Sequence, residues 1–250
     1  MPAAKIRLDK ILASNGFGSR RDIKRLLHDR AFTVNGTVCK DSGFPVDPES
    51  DEFALDGKPL KIRTSVYLML NKSAGVVTST DDPHHRTVMD LLCPPWSGMG
   101  LFPVGRLDAD TEGLLVITND GPLTHRLTSP KTGVDKTYYA RLRDPVDDAL
   151  FAGYVRRFRE GIPFHDGHVC LPATLVRSPG EADGFLLTIQ EGKYHQVKKM
   201  FKVVGNEVVY LKRVSMGALS LDPSLEPGTF RELTDGELRL LRSEEDMHES

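Results

Sequence analysis

At 250 residues the chain suffices for one large domain, or for a small domain beside a medium one. Its 39% hydrophobic and 27% charged residues are an ordinary soluble balance, no apolar run approaches the ~20 residues of a membrane span, and MPAAKIRLDKILASNG lacks the apolar centre of a secretory signal, so a cytoplasmic location is expected. With 33 Lys and Arg against 35 Asp and Glu no global basic charge marks a nucleic-acid binder, and Cys39, Cys93 and Cys170 fit neither a disulfide framework nor a zinc spacing.

In chain order, Leu8, Ile11 and Leu12 have helical spacing within Arg7–Ala13, and Asn15-Gly16 is a stop signal. Ser19, with Asp22 three places on, opens a second helix as a capping box does. Phe32–Val38 reads as strand, Asn35-Gly36 turn and strand, and Phe53–Leu55, Asp56-Gly57 and Pro59–Ile62 close a small unit. A joint is expected near Ile62–Ser65. Val66–Leu70 is an apolar strand ending in Asn71-Lys72, and 81–104 reads mainly as loop with a short helix near Val88–Leu92. Further strands are expected at Leu114–Thr118, Lys136–Leu142, Cys170–Val176, Gly184–Ile189 and Gly217–Leu221, and helices at Pro122–Leu127, Asp147–Phe158, Gln196–Val204 and Asp235–Arg242. Because the helices do not alternate regularly with the strands, the fold class expected is α+β, with a mixed, mainly antiparallel sheet in the larger part. The division is 1–62, 63–243 and an acidic tail at 244–250.

The first 30 residues hold eight Lys or Arg and three Asp. In the second helix Arg20, Arg21, Lys24 and Arg25 fall opposite Ile23, Leu26 and Leu27, a face able to lie along phosphates or merely to be solvated. RLDKILASNGFGSRRDIKRLLHDRAFTVNG resembles the S4 RNA-binding domain over roughly 5–62, and the resemblance implies that this basic helix faces RNA. One departure is His28–Phe32, where the commoner pattern has a glycine before the strand.

The strongest signal is GRLDADTEGLLVITNDG at 105–121. Asp108, Asp110 and Asp120 crowd a short span, Arg106 and Asp108 share a face if the segment is extended, and Gly113 releases the chain into an apolar strand. A calcium loop fails because Asn119 and the apolar run stand where its distal Glu belongs. A glycosidase-like carboxylate pair and a single nucleophilic or basic Asp remain.

Gly105-Arg106-Leu107-Asp108 followed by Asp110-Thr111 and Gly113-Leu114-Leu115 resembles the signature of the pseudouridine synthases that modify ribosomal RNA. YLMLNKSAGVVTS (67–79), KTYYA (136–140), LTIQEGKYHQVKKMF (187–201) and GALSLDPSLEPGTFRELT (217–234) resemble its supporting motifs in order. The resemblance implies that Asp108 is the catalytic carboxylate, Tyr138 the base-contacting ring and Lys198 the cation near the Asp, with Arg106 a second candidate. Lys198 stands where many relatives have Arg, and Asn71-Lys72-Ser73 where Lys-Pro is common. Lys199 and Lys202, with Lys212 and Arg213, are expected on a phosphate-facing patch. STDDPHHRTVMDLL (79–92) points to the branch acting on small-subunit RNA at a 516-type uridine, and so to 16S RNA or a pre-30S particle as partner and to a monomer. Such an enzyme takes the target base out of its stack. No cofactor and no metal are expected; His165 and His168 read as a surface turn and His84-His85 as an exposed loop. The competing functions are a synthase for large-subunit RNA and a non-catalytic S4-type assembly factor.

Overall fold

A computed structural model describes residues 5–181 and 183–242, so the expected acidic tail at 244–250 lies outside the described residues. The chain forms two compact units. One takes in the chain up to Val66 together with Met89–Phe102, and the other Tyr67–Val88 and the chain from Pro103 onward.

In the first unit, Leu8, Ile11 and Leu12 of the helix Leu8–Ser14 meet Ile23 and Leu27 of the helix Arg20–Asp29, and Phe32, Val34, Val46 and Phe53, in one apolar cluster. Each such side chain contributes about 1.5–3 kcal/mol by leaving water, so the apolar stripe of the second helix sets which way it faces. Arg20, Arg21, Lys24 and Arg25 are exposed as a result. Ser19 and Asp22 form a complete capping box. Asn35 and Gly36 both have positive φ, as the tight turn between Phe32–Val34 and Thr37–Val38 requires. The carboxamide of Asn15 donates to the carbonyls of Ile11 and Arg63 and accepts the Arg63 N–H at 2.8 Å, so Arg63 is held by the first unit.

The second unit is built on a mainly antiparallel sheet, so the molecule is α+β. Its strands lie side by side in the order Thr174–Arg177, Gly184–Ile189, Lys136–Leu142, Val208–Met216, Glu112–Thr118, Tyr67–Lys72 and Phe230–Glu232. Along this path of seven strands the central junction, Val208–Met216 against Glu112–Thr118, is parallel and the other five are antiparallel. From Gly113 to Thr118 every residue is buried, so this strand is covered on both faces. At Gly113 φ is +101°, and an added Cβ would lie 2.2 Å from the Arg213 carbonyl oxygen; glycine alone allows the two strands to approach.

Two expected strands change, and one long strand was not expected at all. Val208–Met216 is nine residues long, although Lys212 and Arg213 break the apolar alternation that would mark it. The strand expected from Cys170 begins at Thr174, because Pro172 has no N–H to give to a ladder. Gly217, with φ +55°, turns the chain, leaving only Leu219–Ser220 of Gly217–Leu221. Short strands also form at Pro45–Val46 and Phe230–Glu232. Helix Gln196–Val203 is seated by Val197, Met200 and Phe201, with Phe201 ring-to-ring at 5.1 Å from Phe158 of helix Asp148–Glu160. That seating leaves Lys198, Lys199 and Lys202 on its less buried side.

Gly113→Ala forces a Cβ into backbone and a non-glycine residue to positive φ, so a loss of about 3 kcal/mol or more is expected. Equilibrium urea unfolding of the full chain measures it.

Candidate active site

The segment carrying Asp108 has no regular secondary structure, and its shape comes from groups that grip its backbone. Thr78 Oγ1 donates to the Leu107 carbonyl at 2.8 Å and accepts the Leu107 N–H. The Thr111 N–H closes a turn onto the Asp108 carbonyl, and Gly75 N–H reaches the Ala109 carbonyl at 2.8 Å. Lys72, at the end of Tyr67–Lys72, is 0% exposed, and its ammonium donates to the carbonyls of Ser73, Ala109 and Thr111 at 2.8–3.1 Å. Burial pushes the Lys72 amine down to about 8, against the pull of Asp110, Asp108 and Glu112. Lys72 therefore anchors the loop from beneath.

The Asp108 side chain is 27% exposed and meets two basic side chains. His195 Nε2 lies 3.5 Å from Oδ1, and Lys198 Nζ 3.8 Å from Oδ2. Lys198 binds Asp110 more tightly, at 2.5 and 2.7 Å from its two oxygens. Burial raises the Asp110 carboxyl, but the Lys198 hydrogen bonds and charge outweigh it and hold it below its ordinary value. Lys198 is thus close to Asp108, as expected, yet it is shared with a carboxylate that the sequence reading left without a role.

Asp108 opens onto a small pocket of about 60 Å³ whose walls include Arg106, Leu107, Tyr138, Ile189, His195 and Leu211. Tyr138 reaches it from Lys136–Leu142, where alternation turns Lys136, Tyr138 and Ala140 inward, and the side chain is 7% exposed. Arg106 is exposed at the rim. A wider groove of about 800 Å³ carries Asp110, Arg143, His195, Lys198, Lys199 and Lys202. The structure therefore brings together Asp108, Tyr138, Arg106 and Lys198, with Lys199 and Lys202 alongside. Arg20, Arg21, Lys24 and Arg25 belong to the other unit.

Two residues differ from expectation. Arg213 does not join a phosphate-facing patch. It is 2% exposed, its Nε donates to the Leu114 carbonyl at 2.8 Å, and its Nη2 has no hydrogen-bond partner. Its strand lies between two others, so its side chain enters the packed interior. His195 is a residue beside Asp108 that sequence reasoning missed. It takes a left-handed conformation, φ +54°, just before helix Gln196–Val203, and stacks on Tyr194 with ring centroids 3.8 Å apart. Gln196 pins this turn by accepting the Lys193 N–H and donating to Glu191. Tyr194-His195 between Gly192 and an amphipathic helix is the available signal, but nothing in it shows that the imidazole turns toward Asp108.

The model of the RNA pseudouridylate synthase family matches residues 66–202, and that of the S4 domain residues 6–52. The chain is 46% identical to an RNA pseudouridine synthase of Bacillus subtilis (strain 168), over 94% of this chain and 98% of the relative. It is 42% identical to ribosomal small subunit pseudouridine synthase A of Escherichia coli (strain K12), over 93% and 98%. A solved pseudouridylate synthase is similar with TM-score 0.65 and 38% identity, over 94% of this chain and 99% of that one.

A lysine side chain titrating near pH 8 is expected by NMR of 13C-labelled lysine, and it should vanish in Lys72→Met. Because the folded-state value is depressed, the unfolded chain binds the extra proton between about 8 and the ordinary 10.5. The contribution of Lys72 to stability therefore rises with pH across that window and is flat below it, which urea titrations of wild type and Lys72→Met would reveal by subtraction.

Proposed function

Because the chain belongs to the RNA pseudouridylate synthase family and begins with an S4 domain, we propose that it converts one uridine of 16S ribosomal RNA, at the 516-type position, to pseudouridine, with Asp108 as the working carboxylate. The observation that carries this reading is the placement of Asp108 at the mouth of a pocket beside Tyr138, with His195 and Lys198 within 4 Å of its two oxygens.

The reaction breaks the bond between ribose C1′ and uracil N1, turns the base and joins C1′ to C5. N1 gains a proton and C5 gives one up, so the change is an isomerisation with no net redox. The base must leave its stack to enter a pocket, and Tyr138 offers an aromatic wall of the kind that stabilises a flipped base by about 1–3 kcal/mol. Asp108 acts ionised, either by attacking C1′ or by taking the C2′ proton. Lys198 places a positive charge 3.8 Å from one of the Asp108 oxygens. His195 is also placed to hold a proton that passes through Asp108. Arg106 at the rim and Lys199 and Lys202 along the groove are suited to phosphates. The helix bearing Arg20, Arg21, Lys24 and Arg25 supplies a second, sequence-independent grip. The partner in this reading is 16S RNA or a pre-30S particle, met by a monomer in the cytoplasm. No helix of the described residues is long and apolar enough to cross a membrane.

Asp108→Asn should cut pseudouridine formation on a 16S fragment by at least about a thousandfold, in the upper range for removing a general base or nucleophile, while RNA affinity persists. Pseudouridine mapping in a deletion strain decides the target: loss of a large-subunit site with 16S RNA intact would move the substrate. Changing Arg20, Arg21, Lys24 and Arg25 together to Ala should weaken RNA binding and reduce the slope of log affinity against log salt by about 3 if each meets a phosphate. Filter binding at several salt concentrations reads the slope, and an unchanged value places the contact elsewhere.

A further inference from the structure

Away from Asp108, one side-chain cluster combines three ligand chemistries. His168 and Cys170 stand two apart in an extended segment, so their side chains leave on the same face. The backbone there is held by Phe164 N–H to the His168 carbonyl at 2.7 Å and Cys170 N–H to the Ile162 carbonyl at 2.9 Å. Glu191 arrives from the end of Gly184–Ile189. The nitrogen, the sulfur and the carboxylate oxygen lie within 4.8 Å of one another. Cys170 and Glu191 are buried, and the His168 side chain is 33% exposed, which leaves a way in.

The carboxylate is held firmly at one oxygen, and the other is engaged within the cluster itself, by a longer hydrogen bond to His168. Oε1 of Glu191 accepts the Leu171 N–H and the Gln196 Nε2–H, both at 2.8 Å, whereas Oε2 faces His168 Nε2 at 3.3 Å. Among the described residues no lysine or arginine forms an ion pair with Glu191. A buried carboxylate calls for a compensating cation, and a fixed outer shell on one oxygen is how proteins aim a ligand at a metal.

We infer that His168, Cys170 and Glu191 form a binding site for one divalent cation of the zinc type, with the fourth position taken by water. Thiolate and imidazole together select a borderline-soft ion over calcium or magnesium, and three protein ligands with an open position are a known zinc arrangement. Binding replaces the Cys170 thiol proton by the metal and releases it to solvent. His165, which the sequence places in the same turn, is exposed and takes no part. An ion here joins the 163–170 segment to the loop of Gly192, Lys193, His195 and Gln196 that lines the Asp108 pocket.

The test uses the reduced, full-length protein carrying Cys93→Ser, which removes the exposed thiol. After chelator treatment it is titrated with Co²⁺ and then with Zn²⁺. One equivalent of Co²⁺ should bind with a sulfur-to-cobalt charge-transfer band that Zn²⁺ abolishes. The band should be absent in Cys170→Ser and kept in Cys39→Ser, and His168→Ala should weaken binding at least tenfold. A full band in Cys170→Ser, or no band in a parent protein that circular dichroism shows to be folded, overturns the site and leaves a hydrogen-bonded triad. Since the readout involves no RNA, it is independent of the proposed reaction.

Discussion

A buried ammonium gathers the loop of the candidate site from beneath. The loop from Leu107 to Thr111 carries Asp108 yet belongs to neither helix nor sheet, and three of the carbonyls that define its path converge with Ser73 on Lys72 and Thr78. Burying a charge in this way is costly, which is why the amine is driven down toward neutrality. The cost is offset because each N–H finds an acceptor and because Asp108, Asp110 and Glu112 surround it with negative charge. A sheet strand thereby imposes its position on an irregular segment, and the Asp108 backbone is placed by contacts to its neighbours' carbonyls.

The charges above that anchor are arranged unequally. Lys198 gives its short contacts to Asp110, which is mostly exposed, and only a longer one to Asp108. Asp108 is therefore not consumed by a tight ion pair. His195 adds a second group at similar distance, held by a turn that Gln196 and Glu191 lock in place.

Much of this was legible in the residues. The capping box at Ser19 and Asp22, the Asn35-Gly36 turn, the strands at 136–142 and 184–189 and the helix at 235–242 follow from local chemistry, and the structure reproduces them. Val208–Met216 was not legible, because burial of Arg213 and half-burial of Lys212 depend on strands far away in sequence. The meeting of Arg106, Asp108, Tyr138 and Lys198 could be anticipated by resemblance alone, since pattern arguments do not bring residue 108 to residue 198. Lys72 and His195 escaped for the same reason. Their roles arise from a buried acceptor set and a left-handed backbone angle, and neither leaves a mark in composition or periodicity.

The order of strands has a consequence in time. Phe230–Glu232 pairs with Leu68–Leu70, so the first and last strands of the second unit lie side by side. The buried residues of the first unit's apolar cluster run from Leu8 to Phe53, so they leave the ribosome early. At synthesis rates of about 5–20 residues per second, the interval between the two is roughly 10–30 s. A nascent chain thus possesses its basic helix well before its sheet can close, and a polypeptide still on the ribosome could hold nucleic acid while unable to act on it.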